Sequence, residues 1–211
     1  MKLQAAIDVH SLEDALSLMK KIHPYVDIIE IGSFLGLIEG FRAVNAMKKA
    51  YPDKEVLSDA KIVDGGYGIA AYAYDQGADI VTTIAITDDY TLNGLLQAAH
   101  ERGKKAMVDT INCPRERLFE RVKQLDAMGF DYIMLHTPHE SGATNSANID
   151  DVRVCKDFVK HAMIGISGGI TLEYMPQVVA VQPDWVVVGG ALYNAKDPAA
   201  TAKAFKEAMH S

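Results

Sequence analysis

Leu57-Ser58-Asp59-Ala60-Lys61-Ile62-Val63-Asp64-Gly65-Gly66 closes an apolar strand and stops at glycine. Lys61 lies two residues after one carboxylate, Asp59, and three before another, Asp64. The period of 2 in extended chain turns Asp59 and Lys61 to the same side. Asp64 falls just beyond, where a strand would give way to a helix. A cation between two anions stays protonated, because each opposite charge favours the charged form. At an effective surface dielectric, one such contact at about 4 Å is worth about 4 kcal/mol of raw attraction. A Schiff-base lysine must be neutral. Lys61 suits the other task, a fixed positive charge and proton donor of the kind that stabilises an enolate. A surface ion-pair cluster at a strand end is the plainer reading of the same residues, and the flanking chain decides between the two.

On both sides, short apolar runs alternate with amphipathic segments. Strands are expected over 3–8, 27–31, 55–59, 79–83, 105–110, 131–136, 162–166 and 184–188. Runs such as Ile80-Val81 and Trp185-Val186-Val187-Val188 are what parallel strands covered on both faces require. The segments between them carry the 3.6 period. Leu12, Ala15, Leu16 and Met19 form one stripe, opened by Ser11 as N-cap with Asp14 in a box-like position. Leu118, Val122, Leu125 and Met128 form another, with Pro114 near its start. Val152, Cys155 and Val159 make a third, and Ala202, Phe205 and Met209 close the chain. Gly77 and Gly129 sit where helices should stop. Eight such units with no long linker or composition break point to a single (β/α)8 TIM barrel over residues 1–211. A doubly wound open sheet is the alternative, and the even spacing favours closure. The longest connection, about 137–149, is polar and contains glycine, so it is expected to be a mobile loop over a site.

The length of 211 residues is enough for one sizeable core. A net charge of −7 argues against a nucleic-acid binder. No apolar run approaches the ~20 residues of a membrane span. Met1-Lys2-Leu3-Gln4 leads straight into a strand with no secretory segment, and Cys113 and Cys155 form no metal or redox motif. A cytoplasmic, reduced setting is the default expectation.

In a barrel the active site lies at the C-terminal ends of the strands. Those ends carry Asp8, with His10 behind it, then Glu30, the Asp59–Lys61–Asp64 group, Asp109, His136, Ser167-Gly168-Gly169 and Gly189-Gly190. Bare backbone N–H groups at glycine turns bind phosphate, commonly after strands seven and eight of a barrel. Two glycine pairs on adjacent strands favour a phosphate site over simple tight turns. Glu30 and Asp59 on neighbouring strands are costly as a pair unless a cation joins them. Two carboxylates completed by water and substrate suit Mg²⁺, although Lys61 could partly neutralise them instead. The absence of paired Cys or His ligands argues against zinc. His136 ends an apolar strand and fits an acid/base role better than that of a satisfied rim residue. His10, His139 and His161 have weaker claims. Asp88-Asp89 reads as a helix-start pair.

With these residues in place, the chain resembles the orotidine 5′-phosphate decarboxylase suprafamily, whose hallmark is Asp59-x-Lys61-x-x-Asp64. The likeness runs through Ile7-Asp8, Ile29-Glu30-Ile31-Gly32, Gly77-Ala78-Asp79, Met107-Val108-Asp109, Leu135-His136-Thr137, Ser167-Gly168-Gly169-Ile170 and Val188-Gly189-Gly190-Ala191. Within the suprafamily it looks most like the 3-hexulose-6-phosphate synthase group. The sister 3-keto-L-gulonate-6-phosphate decarboxylases usually carry Glu where Asp109 stands, Arg where His139 stands, and Gly-Arg where Gly189-Gly190 stands. Orotidine phosphate decarboxylation would want a lysine where Ser58 stands. The resemblance implies an aldehyde-lyase that joins formaldehyde to D-ribulose 5-phosphate, giving D-arabino-3-hexulose 6-phosphate through a Mg²⁺-stabilised 1,2-enediolate. It implies Mg²⁺ around Glu30 and Asp59 and reaction chemistry from Lys61, His136, Asp109, Asp64 and Asp8. It also implies a homodimer in which Asp64 reaches into the partner's site. The alternative is decarboxylation of 3-keto-L-gulonate 6-phosphate on the same scaffold. A phosphopentose epimerase would want a more histidine-rich metal site, and a sugar-phosphate sensor has no need of Lys61 between carboxylates.

Overall fold

A computed structural model describes residues 1–137 and 146–210. His139 and most of the connection expected over 137–149 lie outside the described residues. The strands are β1 (Lys2–Ile7), β2 (Ile28–Ile31), β3 (Glu55–Ile62), β4 (Ile80–Ile84), β5 (Lys105–Asp109), β6 (Tyr132–His136), β7 (Met163–Ser167) and β8 (Trp185–Val188). They pair in parallel in sequence order, and β1 also pairs with β8, Gln4 standing opposite Val187. That last ladder closes the barrel and excludes the open sheet.

The helices are α1 (Leu12–Ile22), α2 (Ser33–Glu39), α3 (Arg42–Ala50), α4 (Gly66–Asp75), α5 (Asp89–Arg102), α6 (Leu118–Met128), α7 (Ser146–Lys156), α8 (Met175–Val181), α9 (Gly190–Tyr193) and α10 (Pro198–Ala208). Ser11 caps α1, its hydroxyl accepting the Asp14 N–H at 3.1 Å. The buried face of α1 is Ala15, Leu18, Met19 and Ile22, while Leu12 and Leu16 lie at its edge. In α6 the stripe buries Leu118, Val122 and Leu125. Gly129 ends α6 in the left-handed region, at φ 95°. No helix among the described residues is long and apolar enough to cross a membrane.

Two cores result. Between barrel and helices lies a layer that includes Leu3, Ile7, Met19, Val81, Leu95, Ile133 and Phe205. Inside the barrel Ile28, Leu57, Ile80, Met107, Tyr132, Met134, Trp185 and Val187 form an apolar floor. Gly165 makes room for it, since a Cβ there would stand 2.1 Å from the Trp185 ring.

The N-terminal end of the barrel is latched in one repeated way. Asp27, Asp79, Asp131 and Asp184 each stand one residue before an even-numbered strand. Each carboxylate accepts a backbone N–H from the preceding odd strand: Leu3 at 2.7 Å, Val56 at 3.0 Å, Ala106 at 2.9 Å and Ile164 at 2.7 Å. Each also meets lysine: Lys206, Lys48 with Lys104, Lys105 and Lys156 respectively.

Candidate active site

The site is the floor continued upward. In a strand, residues two apart share a face. Two residues beyond the floor positions Ile28, Leu57, Ile80, Met107 and Met134 stand Glu30, Asp59, Thr82, Asp109 and His136. One step along five strands therefore exchanges an apolar layer for a polar one. Asp8 follows the end of β1 and packs over Gly32, where a Cβ would come within 2.2 Å of the Asp8 carboxylate.

β3 differs from the sequence reading in a way that matters. It runs to Ile62 rather than stopping at Asp59, and its register against β4 slips between Ser58 and Ile62. Lys61 sits at the slip with φ 42°, a left-handed conformation rare for a side chain of this kind. Strain of this sort gathers at functional sites. The irregular turn sets the Lys61 ammonium on Asp59, within 2.9 Å of the Ser33 hydroxyl and 3.9 Å from Asp109. Ser33 donates to one oxygen of Asp59 at 2.6 Å and Thr82 to the other at 2.9 Å. The Thr82 hydroxyl in turn accepts the Lys61 N–H at 3.0 Å.

The second anion beside the Lys61 ammonium is Asp109 rather than Asp64. The turn after β3, with Gly65 at φ 67°, carries Asp64 outward. There it is exposed and accepts the N–H of Gly65 at 2.7 Å.

Asp109 is fully buried and joins two parts of the site. One oxygen accepts the Ile111 N–H at 2.8 Å and the other lies 2.9 Å from Nδ1 of His136. Glu30 is buried and is reached by the side-chain amide of Gln4 at 2.7 Å. Burial and the neighbouring Asp59 push its carboxyl up to about 8, with Lys61 and the Gln4 bond opposing. Burial also raises the Asp8 carboxyl, against the Phe34 N–H it accepts. Burial draws the Lys61 ammonium down, but Asp59, Glu30 and Asp109 outweigh it and leave it above its ordinary value. Lys61 is thus a fixed cation.

The described residues contain no cluster of three or more His, Cys, Asp or Glu set to hold a metal. Glu30 and Asp59 are buried carboxylates on neighbouring strands, and Lys61 bonds Asp59 rather than Glu30. A pair that one lysine leaves short of positive charge fits Mg²⁺, which keeps several waters and takes one or two carboxylates.

Ser167 ends β7, buried, beside Gly168 at φ 106° and Gly169 at φ 60°. A Cβ on Gly168 would come within 2.3 Å of the Thr137 carbonyl oxygen. Gly189 and Gly190, after β8, have room for a Cβ in ordinary contact. Crowding therefore does not require glycine there, and the space is left to whatever approaches the backbone. Cavities of about 370 Å³ and 430 Å³ open on Ser33, Asp59 and Lys61 and on Asp8 respectively.

His10 makes an edge contact with Phe34, the His161 N–H donates to Asp126, and Asp88 caps α5, so none of these joins the cluster. Gln4, Ser33 and Thr82 belong to it and were not read from the sequence. The signal for Thr82 was a hydroxyl pair, Thr82-Thr83, inside an otherwise apolar strand.

Fold and site together define a (β/α)8-barrel enzyme with a carboxylate–lysine centre. The family model described as "Orotidine 5'-phosphate decarboxylase / HUMPS family" matches residues 1–205, and the chain belongs to that family. It is 40% identical over 208 residues to the 3-hexulose-6-phosphate synthase of Bacillus subtilis (strain 168), covering 98% of each chain. The crystal structure of 3-hexulose-6-phosphate synthase from Salmonella typhimurium superposes with a TM-score of 0.94 at 38% identity, over 100% of this chain and 99% of that one. The 3-keto-L-gulonate-6-phosphate decarboxylase from Vibrio cholerae O1 biovar El Tor gives 0.85 at 25% identity, over 99% and 97%. With these whole-length relatives, the chain is an enzyme of the carbon–carbon lyase class.

Proposed function

We propose that the enzyme condenses formaldehyde with D-ribulose 5-phosphate to give D-arabino-3-hexulose 6-phosphate. The observation that carries this reading is the whole-length likeness, at 38–40% identity, to proteins named 3-hexulose-6-phosphate synthase. The geometry supports a route. The pairing of His136 Nδ1 with Asp109 directs the ring's other nitrogen outward as the basic one, a general base oriented by a carboxylate. That nitrogen takes the proton from C1 of the ketose phosphate. The electrons move to the C2 carbonyl, and the resulting 1,2-enediolate lies against the Lys61 ammonium, which is already charged and fixed before the step. C1 then attacks the formaldehyde carbon, and the new alkoxide takes a proton back from His136. Glu30 and Asp59 would hold Mg²⁺, which when bound supplies further positive charge where the oxyanion develops. The turns Ser167-Gly168-Gly169 and Gly189-Gly190 would hold the phosphate through backbone N–H groups. Asp8 lines the neighbouring cavity and lies close enough to Asp59 and Lys61 to feel their charges, where it can bind a sugar hydroxyl.

A homodimer completes the reading. Phe34, Leu37 and Ile38 of α2, Val63, Tyr67, Ile69 and Tyr72 at and around α4, and Ile86 and Tyr90 beyond β4 are exposed large apolar side chains. Leu37 is 85% exposed and Tyr90 92%, an extent that a partner surface explains. Asp64 stands in that region and would reach the partner's site. The free thiols Cys113 and Cys155 fit a cytoplasmic setting. The decarboxylase alternative is not favoured, since the decarboxylase above is 25% identical against 38–40% for the synthases.

The test is formaldehyde consumption with D-ribulose 5-phosphate and Mg²⁺. Turnover is expected, and both Asp59→Ala and EDTA should abolish it. No consumption by the intact enzyme would refute the substrate assignment; undiminished turnover in EDTA would refute the metal.

A further inference from the structure

Gln4 is a polar side chain in the wrong company. It lies on β1 with no solvent exposure, in the barrel interior among Ile28, Trp185 and Val187. An amide there must find partners or lose what water gave it. It finds one: its Nε2 donates to Glu30 Oε2 at 2.7 Å. Its Oε1 is buried with no hydrogen-bond partner. A methionine would fill the same volume with neither the bond nor the unpaired carbonyl. The glutamine is therefore poorly explained by packing, and the bond to Glu30 is the one thing it adds. Asp59 is anchored by Ser33, Thr82 and Lys61, whereas for Glu30 the Gln4 bond is the one recorded among the described residues.

We propose that Gln4 is a positioning residue that aims the Glu30 carboxylate at the divalent cation, an inference that rests on the Mg²⁺ reading above. Ligating carboxylates are themselves held by hydrogen bonds, and loss of such a holder typically weakens metal affinity 10- to 100-fold. Gln4 holds one oxygen of Glu30 from below and leaves the other for the ion. Its backbone is fixed in the β1–β2 ladder, Gln4 opposite Ile28, and its side chain is fully buried, which limits how far the amide can follow a carboxylate that swings away.

Calorimetric titration of the whole enzyme with MgCl₂ alone tests this. Gln4→Met removes the donor at constant volume, and Gln4→Asn shortens it by one methylene while keeping an amide, so a misfolded methionine variant does not end the test. Both should raise the Kd for Mg²⁺ about tenfold or more, with the Kd for inorganic phosphate unchanged. Wild-type affinity for Mg²⁺ in the folded variants would overturn the role of Gln4 and leave the metal reading standing. No Mg²⁺ binding by the wild type would overturn both. Equal losses of Mg²⁺ and phosphate binding would mean a collapsed site, and would also overturn it.

Discussion

Both ends of the barrel carry aspartates paired with lysine, and they do different work. At the N-terminal end Asp27, Asp79, Asp131 and Asp184 each take a backbone N–H from the neighbouring strand and meet at least one lysine. Each of those charges thus meets both a backbone donor and a cation. At the C-terminal end Asp8, Glu30, Asp59 and Asp109 surround the single ammonium of Lys61. There the negative charge is in excess, Glu30 is held far from its ordinary range, and the backbone of Lys61 is left-handed. In barrels the bottom face carries stability and the top face carries chemistry. In this chain the difference is one of neutralisation: satisfied charges staple strands, and unsatisfied ones wait for a cation or a substrate.

Exchanges at the two ends should therefore separate activity from stability. The largest effect is expected of Lys61→Met, which removes the fixed cation. It should lower kcat by about 10²- to 10³-fold, the typical loss of one oxyanion-stabilising donor, measured at a temperature where the variant is still folded. Asp131→Ala should do the reverse. It leaves the Ala106 N–H without its acceptor, at a cost of about 2 kcal/mol, which in a chain of this size lowers the melting temperature by roughly 4–8 °C. Its kcat at 25 °C should not change.

The third contrast is in pH. Burial, with Asp59 beside it, pushes the folded Glu30 carboxyl up to about 8, far above an unfolded glutamate. Between those values the folded state binds more protons than the unfolded state, so stability falls as pH rises. Melting of the metal-free enzyme should thus drop between about pH 5 and 8. Glu30→Gln should flatten that slope, and Mg²⁺ should reduce it if Glu30 is a ligand. A flat wild-type profile would remove the claim of unbalanced charge. The smallest effect belongs to neither end: Asp88→Ala, which uncaps α5, should cost about 1 kcal/mol and leave activity intact.

The eight strands were legible within a residue or two, β3 apart, because parallel strands covered on both faces become apolar runs, such as Trp185–Val188. The polar layer was largely legible because it falls two residues beyond the floor on successive strands. What stayed hidden depends on three-dimensional register. Nothing near Lys61 announces a left-handed residue, so the strand was ended too early, and the approach of Asp109 from β5 to the Lys61 ammonium could not be seen. Ser33 and Gln4 look like ordinary helix-start and strand residues until the pairing of β2 with β3 brings Ser33 to Asp59 and that of β1 with β2 brings Gln4 to Glu30. The four N-terminal aspartates recur at 52, 52 and 53 residues, differences of the positions 27, 79, 131 and 184. One shared residue in so long a repeat gives no pattern until the barrel closes.

The decisive measurement is proton exchange at C1 of D-ribulose 5-phosphate in D₂O, followed by NMR with no formaldehyde present. Deuterium should enter C1 with the wild type, and hardly at all with Lys61→Met. If the wild-type enzyme binds the sugar phosphate yet leaves the C1 protons in place, no enediolate forms, and the chemistry assigned to the C-terminal end of the barrel is wrong.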